Sequence, residues 1–189
     1  MAQRGRTRRP GAATRTAILD AARERFAAEG YEGATIRAVA ADARVDPAMV
    51  MRHFGSKERL FAAAASFDLH LPDLTAFARK RIGAELVTHF LERWEDDDTL
   101  KALLRAAVSN KTAAARLQAI LDKQLVTAMV PLFSSRSAAA RRAGLVASQM
   151  LGLALTRYLL KLPPVVGLDR AAVIEWLGPT IQRYLTEER

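Results

Sequence analysis

The sequence predicts an all-α protein of about nine helices, in which a short N-terminal group of helices precedes a longer C-terminal helical region. Half of the 189 residues are hydrophobic, and alanine and leucine, which both favour helices, are prominent among them. Apolar residues recur at helical spacing in most segments, whereas no segment shows the strict alternation of a half-buried strand. Residues that cap or break helices separate these segments.

The N-terminal helices are defined by their end signals. The first is predicted over 14–29, with apolar residues every four positions and a glycine behind them, and "YEGAT" then forms a loop. Thr35 can cap the second helix. Asp46 and Pro47 suit the cap and first position of a third, two-turn helix that stops before Gly55. Further helices are expected from 57 onward and near 78–95, 98–109, 111–133, 137–161 and 169–187.

Basic residues are concentrated at the N-terminus of a chain whose net charge is +9. Residues 1–13 are expected to be a disordered arm, and no acidic residue occurs before Asp20. Such an arm is attracted to polyanions, nucleic acid above all, although a solubilising tail is an alternative. The arm arginines that we expect to contact DNA are Arg4, Arg6, Arg8 and Arg9.

Several classes of protein are excluded or disfavoured by composition. The chain has no cysteine, which excludes disulfides, zinc–thiolate sites and cysteine nucleophiles. No apolar run approaches the length of a membrane span, and the basic N-terminus lacks the apolar region of a secretory signal. We therefore expect a cytoplasmic protein without membrane contact. No nucleophile–base pair or phosphate-binding glycine pattern is recognisable, so we expect no catalytic site, metal site or cofactor.

The second and third helices indicate a helix-turn-helix, because two short helices joined by about three residues follow a cationic arm. Val50 and Phe54 lie four residues apart and can pack inward, which leaves the other face of the third helix for the major groove of DNA. Helix N-termini at Thr35 and Lys57 can bind phosphates. The predicted DNA-binding residues are Thr35, Arg37, Arg44, Pro47, Ala48, Met49, Met51, Arg52, His53 and Lys57. As alternatives, the two methionines belong to the core, Lys57 is an ordinary solvated lysine, and His53 seals the corner beside Phe54.

The stretch "TRTAILDAARERFAAEGYEGATIRAVAADARVDPAMVMRHFGSKERLFAAA" resembles the N-terminal domain of TetR-family transcriptional repressors. The matching positions are Phe26, Gly30, Thr35, Ile36, Ala40, Val45, His53, Phe54, Lys57, Glu58, Leu60 and Phe61. "MLGLALTRYLLKLPP" resembles a regulatory domain common in actinobacterial members. The resemblance implies a helix-turn-helix DNA-binding domain over 14–60 and a ligand-binding and dimerisation domain over 61–189.

Two positions depart from the family pattern. Arg44 occupies a turn position where the family usually has glycine, and a left-handed arginine there would cost about 1–2 kcal/mol relative to glycine. Met51 replaces a tyrosine that typically reaches the DNA backbone. We therefore expect a sequence preference that cannot be borrowed from relatives.

The C-terminal region contains a stripe of small residues and a set of apolar side chains. In the family the last two helices form a four-helix dimer interface, whereas packing inside one subunit is the alternative for the stripe. The predicted interface residues are Ala140, Gly144, Ser148, Gly152, Ile174, Leu177 and Ile181. The family also implies a mostly apolar effector pocket, although packing in the core is the favoured alternative for most of its candidates. These candidates are Phe67, Phe90, Trp94, Leu104, Met129, Met150 and Tyr158.

The resulting hypothesis is a repressor that binds a palindromic operator in double-stranded DNA as a homodimer. A small hydrophobic effector would bind the C-terminal domain and release the DNA. The alternative is an architectural DNA-binding protein without sequence specificity, which would share the basic arm but would not prefer a palindrome. An enzyme is disfavoured for the reasons given above.

Overall fold

The computed structural model describes residues 10–64, 68–96 and 98–187, and it confirms the all-α prediction, since every regular element in these residues is helical. The chain divides into two compact units between residues 66 and 67, called here the N-terminal unit and the C-terminal unit. The N-terminal unit contains α1 (Pro10–Gly33), α2 (Ile36–Asp42), α3 (Pro47–Phe54) and α4 (Lys57–Ala64). The C-terminal unit contains α5 (Ile82–Asp96), α6 (Asp98–Ala107), α7 (Lys111–Ile120), α8 (Thr127–Met129), α9 (Arg136–Ala154), α10 (Pro163–Val166) and α11 (Arg170–Thr186).

Side-chain caps set the starts of α2 and α3, as the sequence predicts, and also the start of α4. The Thr35 hydroxyl accepts a hydrogen bond from the Ala38 N–H at 3.1 Å. The Asp46 carboxylate accepts one from the Ala48 N–H at 2.7 Å, and the Ser56 hydroxyl accepts one from the Arg59 N–H at 3.2 Å. Each cap pairs an N–H group that the first helical turn leaves without a backbone partner.

The loop expected for "YEGAT" is partly wrong, because α1 continues to Gly33. Gly30 interrupts the helix with φ 73° and ψ 178°, a left-handed φ that glycine adopts without steric penalty. The bend turns Tyr31 into the core, where its ring lies 5.1 Å from Phe61, and Phe61 lies 4.9 Å from Phe26, both in edge-to-face geometry. This buried aromatic cluster packs α1 against α4.

Two long helices expected in the C-terminal unit are broken in the structure. The segment predicted as 111–133 ends as α7 at Ile120, continues as a π-helical turn (Leu121–Val126) and α8, and finishes as a 3₁₀ turn (Val130–Leu132). Pro131, which lacks a backbone N–H, lies in that final turn. The helix predicted over 137–161 likewise ends in a π-helical turn, Leu155–Leu159. Helical periodicity alone does not reveal such widened turns.

The closest helix packing in the C-terminal unit joins α5 to α11. A Cβ added to Gly83 would lie 2.5 Å from the Gly178 carbonyl oxygen and 2.5 Å from the Gln182 nitrogen. The Gln182 side chain accepts a hydrogen bond from the Gly83 N–H at 2.8 Å and donates one to the Arg79 carbonyl at 2.7 Å. The glycine therefore permits direct backbone contact between the two helices. Across the described part of the chain, no helix has the length and apolar content to span a bilayer.

Candidate nucleic-acid interface

Helix α3 has one buried face and one exposed face. Val50 is fully buried and Phe54 is 7% exposed, which confirms their predicted inward orientation. Met49 and Met51 are 36% and 43% exposed, so they are not core residues, and Arg52 is exposed as well. The helix contains no acidic residue, and Arg52 and His53 lie in its last turn. Its outer face is therefore apolar along two side chains and cationic at its C-terminal end.

The turn between α2 and α3 holds Arg44 in a left-handed conformation, with φ 54°. Its N–H donates to the Ala41 carbonyl at 3.1 Å, and the next N–H, of Val45, donates to the Ala40 carbonyl at 2.9 Å. These two bonds close the turn after α2 and fix the strained residue between them. The Arg44 side chain is exposed to solvent on this turn.

Lys57, at the start of α4, is held by α1. Its ammonium group donates to the Glu32 carbonyl at 3.2 Å and lies 4.7 Å from the centroid of the Tyr31 ring. The Tyr31 hydroxyl donates to the Glu58 carboxylate at 2.9 Å. Hydrogen bonds from its own backbone amide, from the Ser56 hydroxyl and from Tyr31 hold the pKa of Glu58 below its usual value. Lys57 is thus a positioned cation rather than a freely solvated one.

Tyr31 is a positioning residue that the sequence reasoning missed, because it was assigned to a loop. The available signal was an aromatic residue directly after the glycine that bends α1. Arg15 was missed too, and its guanidinium lies 5.0 Å from the centroid of the Phe54 ring. Through this contact, a residue of α1 covers the aromatic ring at the C-terminal end of α3.

The other predicted DNA-binding residues differ in exposure. Thr35, Arg37, Pro47 and Ala48 are exposed, consistent with access to a partner. His53 is half-buried, and its ring centroid lies 6.3 Å from that of Phe54, beside α1. The arm arginines Arg4, Arg6, Arg8 and Arg9 lie outside the described residues.

A narrow apolar cavity of about 60 Å³ lies within the C-terminal unit. Phe90, Trp94 and Met150 line it, in agreement with the predicted pocket. Leu104 and Met129 do not line it, since both are buried elsewhere in the core. Tyr158 does not line it either, and its ring stacks against Trp94 with centroids 6.1 Å apart. Phe67 lies outside the described residues, and Arg93 is a wall residue missing from the predicted set.

The stripe of small residues on α9 is exposed along Ala140, Gly144, Ser148 and Gly152. A Cβ added to either glycine would meet no atom within 4 Å, so the alternative of tight packing inside the chain is wrong. Ile174 and Leu177 on α11 are half-buried.

One predicted interface residue needs correction. Ile181 is fully buried in the chain's own core and presents no surface to a partner. The sequence reasoning also overlooked Leu145 and Trp176, which are 45% and 76% exposed. Both are large apolar side chains that remain exposed to solvent in the single chain. Leu145 lies on α9 and Trp176 lies on α11.

Two short capped helices, a tight turn and a second helix with an exposed outer face constitute a helix-turn-helix DNA-binding domain. Comparison with known families agrees with this class. The family described as "Bacterial regulatory proteins, tetR family" matches residues 18–64, and "Tetracyclin repressor-like, C-terminal domain" matches residues 80–185. The chain belongs to the TetR family of bacterial regulatory proteins, which confirms the resemblance seen in the sequence.

Individual relatives support this assignment to different extents. The HTH-type transcriptional repressor AcnR of Corynebacterium efficiens is 44% identical over 55 residues, and the match spans 29% of each chain, well under two thirds of that relative. The crystal structure of a TetR-family regulator from Streptomyces coelicolor A3 has 32% identity and a TM-score of 0.65, covering 96% of this chain and 99% of the other. The multidrug binding protein EbrR, solved with malachite green, shares the fold at 18% identity, a TM-score of 0.65 and coverage of 92% and 98%.

Proposed function

We propose that the protein is a transcriptional repressor that binds a palindromic operator as a homodimer and releases it when a small apolar effector binds the C-terminal unit. The observation that carries this proposal is the division of α3, in which Val50 and Phe54 anchor the helix while Met49, Met51 and Arg52 remain exposed. An exposed helix face of this kind fits the major groove of B-DNA.

The side chains on this face suit base contacts. The methionines can pack against thymine methyl groups, and small Ala48 permits close approach of the helix. Arg52 can donate to guanine O6 and N7 or to a phosphate. We therefore assign sequence preference mainly to Met49, Met51 and Arg52.

Phosphate contacts come from the edges of the motif. The Thr35 hydroxyl oxygen accepts the cap hydrogen bond from Ala38, so its own hydrogen remains available for donation to a phosphate. Lys57 directs one N–H at the Glu32 carbonyl and has three donors in all. Arg37 and Arg44 are exposed nearby in sequence and add positive charge. Such contacts position the domain without reading bases.

The dimer is supported by the exposed faces of α9 and α11. Small residues along α9 allow a second helix to approach closely, and Leu145 and Trp176 supply apolar surface that a partner would bury. A two-fold axis would present two copies of α3 to successive major grooves, about one helical turn apart.

The effector is supported by the apolar cavity between the helices of the C-terminal unit. EbrR, which shares the fold, is a multidrug binding protein, and AcnR is a transcriptional repressor. For release, the effector must bind the DNA-incompetent conformation more tightly than the DNA-competent one.

Selection of bound fragments from genomic DNA tests the proposal. A palindromic sequence should be enriched, whereas uniform recovery of fragments would identify an architectural DNA-binding protein instead. With the enriched operator, Arg52→Ala should weaken binding by about tenfold or more, as expected for the loss of a guanidinium contact. Arg105→Ala, which removes an exposed arginine on α6, is the matched control and should bind like the wild type. Unchanged affinity of Arg52→Ala across salt concentrations would refute the placement of α3.

A further inference from the structure

A cleft of about 700 Å³, called here the arginine cleft, lies in the C-terminal unit. Its walls come from the first half of α9, the C-terminal end of α11, residue 79 and the segment 132–134. Its described lining residues include one acidic residue, Glu187, and four basic ones, which are Arg79, Arg141, Arg142 and Arg183. None of these five lines the apolar cavity. The arginine cleft is therefore a separate and strongly cationic feature of this unit.

Arg142 is the most firmly held of the four arginines. Its Nη1 donates to the Tyr184 carbonyl at 2.9 Å, and its Nη2 donates to the Glu187 carbonyl. Its guanidinium carbon lies 5.9 Å from the centroid of the Phe133 ring. A guanidinium has about five N–H donors, and these bonds use only part of them. Arg142 is thus fixed by neutral groups that leave its charge in place.

The other arginines of the cleft are exposed to solvent. Arg141 donates to the Ser137 hydroxyl oxygen at 3.0 Å, and the guanidinium carbon of Arg183 lies 5.9 Å from the centroid of the Tyr184 ring. A hydroxyl group and an aromatic face orient a guanidinium without neutralising it. The cleft therefore keeps positive charge on arginines that are partly positioned.

The ion pairs found among the described residues include none of the four cleft arginines. By contrast, Arg81, two residues from Arg79, pairs with Glu85 at 2.6 Å, and Arg136 of α9 pairs with Asp122 at 3.2 Å. Like charges that gather in one place repel one another, so a bound anion would relieve this repulsion. The arginine cleft is suited to an anion with several charges.

The size and the walls of the cleft indicate the class of anion. Its volume lies within the range of about 300–1,000 Å³ that is usual for small-molecule sites. Guanidinium groups bind phosphate oxygens in bidentate geometry, and four of them offer more N–H donors than one phosphate group can accept. Two or more linked phosphates therefore fit better than one. Leu132, Ala138 and Leu145 add apolar wall that an organic body would cover.

We propose that the arginine cleft binds an organic polyphosphate, with its phosphate groups on the arginines and its organic body against Leu132 and Leu145. The C-terminal unit would then hold two ligand sites, one apolar and one anionic. Leu145 also belongs to the surface that we propose for the dimer, so the cleft borders that surface. Binding in the cleft does not depend on operator binding.

Calorimetric titration of the full-length protein with ATP, adenosine and tripolyphosphate tests the ligand class. The titrations use no DNA and no divalent cation, so that the phosphates keep their charge, and about 0.15 M salt, which screens exposed charges beyond about 8 Å. Adenosine lacks the phosphates and should bind at least about tenfold more weakly than ATP. Tripolyphosphate lacks the organic body and should bind several-fold more weakly. No binding of ATP, or equal affinity of ATP with either other probe, would overturn the proposal.

Arg79→Gln and Arg183→Gln test the location of the site, because both side chains are exposed and their loss should leave the circular dichroism unchanged. Each should weaken ATP binding by about tenfold, as expected for the loss of a charge-assisted hydrogen bond. Arg81→Gln is the matched control, since it removes an equal charge two residues from Arg79 but outside the cleft, and it should bind ATP like the wild type. Equal losses in Arg79→Gln and Arg81→Gln would show general attraction to a basic surface and would overturn the site. Unchanged affinity in both cleft variants would do the same.

Sedimentation of Arg79→Gln and Arg183→Gln separates ligand binding from contact between subunits. Both variants should have the oligomeric state of the wild type together with the weaker ATP binding. An altered oligomeric state with unchanged ATP affinity would show that the arginines contact a second subunit, and it would overturn the proposal. Operator selection uses DNA without ATP, so the repressor proposal and the polyphosphate proposal can fail separately.

Discussion

Replacing Arg44 by glycine should stabilise the N-terminal unit and weaken operator binding at the same time. Arg44 has φ 54°, a conformation that costs a residue with a Cβ about 1–2 kcal/mol. Glycine removes that strain but increases the conformational entropy of the unfolded chain, which offsets about 0.4–1 kcal/mol. The net gain in the free energy of unfolding should be about 0.5–1 kcal/mol. The exposed guanidinium is lost, and with it the phosphate contact that we propose for Arg44.

Lys161→Gly is the matched control, because Lys161 is also exposed and left-handed, with φ 51°, but belongs to the C-terminal unit. Urea denaturation should show a similar gain for both variants. In mobility-shift titrations across salt concentrations, Arg44→Gly should reduce the salt slope by about 0.9, the value of one phosphate, and Lys161→Gly should not. Destabilisation of Arg44→Gly would refute the strain argument, and an unchanged salt slope would refute the phosphate contact.

Three further outcomes follow from other parts of the structure. Gly83→Ala should lower the free energy of unfolding by about 1–3 kcal/mol in urea denaturation, because its Cβ would lie 2.5 Å from backbone atoms of α11, and Gly178→Ala, with its nearest atom at 3.4 Å, should cost less. A hydrogen bond from Arg25 lowers the pKa of Asp42 below its ordinary value of 3.8. The stability that this ionised carboxylate contributes is therefore present above that pH, and it is lost as the pH falls through the lower pKa of the folded state. Thermal unfolding measured at decreasing pH should therefore show a smaller loss of stability for Asp42→Asn than for the wild type. An equal loss in the two proteins would exclude this role. Trp176→Glu should shift sedimentation from dimer to monomer with unchanged circular dichroism, and a persistent dimer would place the interface elsewhere.

The N-terminal unit was largely predictable because its signals are local. Thr35 and Asp46 are caps whose partners lie two or three residues away, and the four-residue spacing of Val50 and Phe54 defines the buried face of α3. The family pattern placed Arg44 at a turn position usually occupied by glycine, and its left-handed φ of 54° agrees with that position. The continuation of α1 beyond the bend at Gly30 was harder to predict. It depends on the burial of Tyr31 against Phe61, a residue distant in the sequence.

The C-terminal unit was less predictable because its features depend on contacts between distant segments. Nothing near Gly83 in the sequence indicates that α11 packs against it, ninety-nine residues before Gln182. Arg93 has the spacing of an ordinary polar position on an amphipathic helix, and only the structure shows that it borders the cavity. Ile181 has the same helical spacing as the half-buried Ile174 and Leu177, and only the packing of α11 shows that it is core.

The contact at Gly83 has a mechanical consequence. Helix α5 carries His89, Arg93 and much of the cavity wall, while α11 carries Trp176 on the surface. The two backbones are in direct contact there, and Gln182 accepts a hydrogen bond from the Gly83 N–H and donates one to the Arg79 carbonyl. This contact resists sliding of α5 along α11. We therefore expect a displacement of α5 at the cavity wall to move α11 with it, and with α11 the surface that bears Trp176.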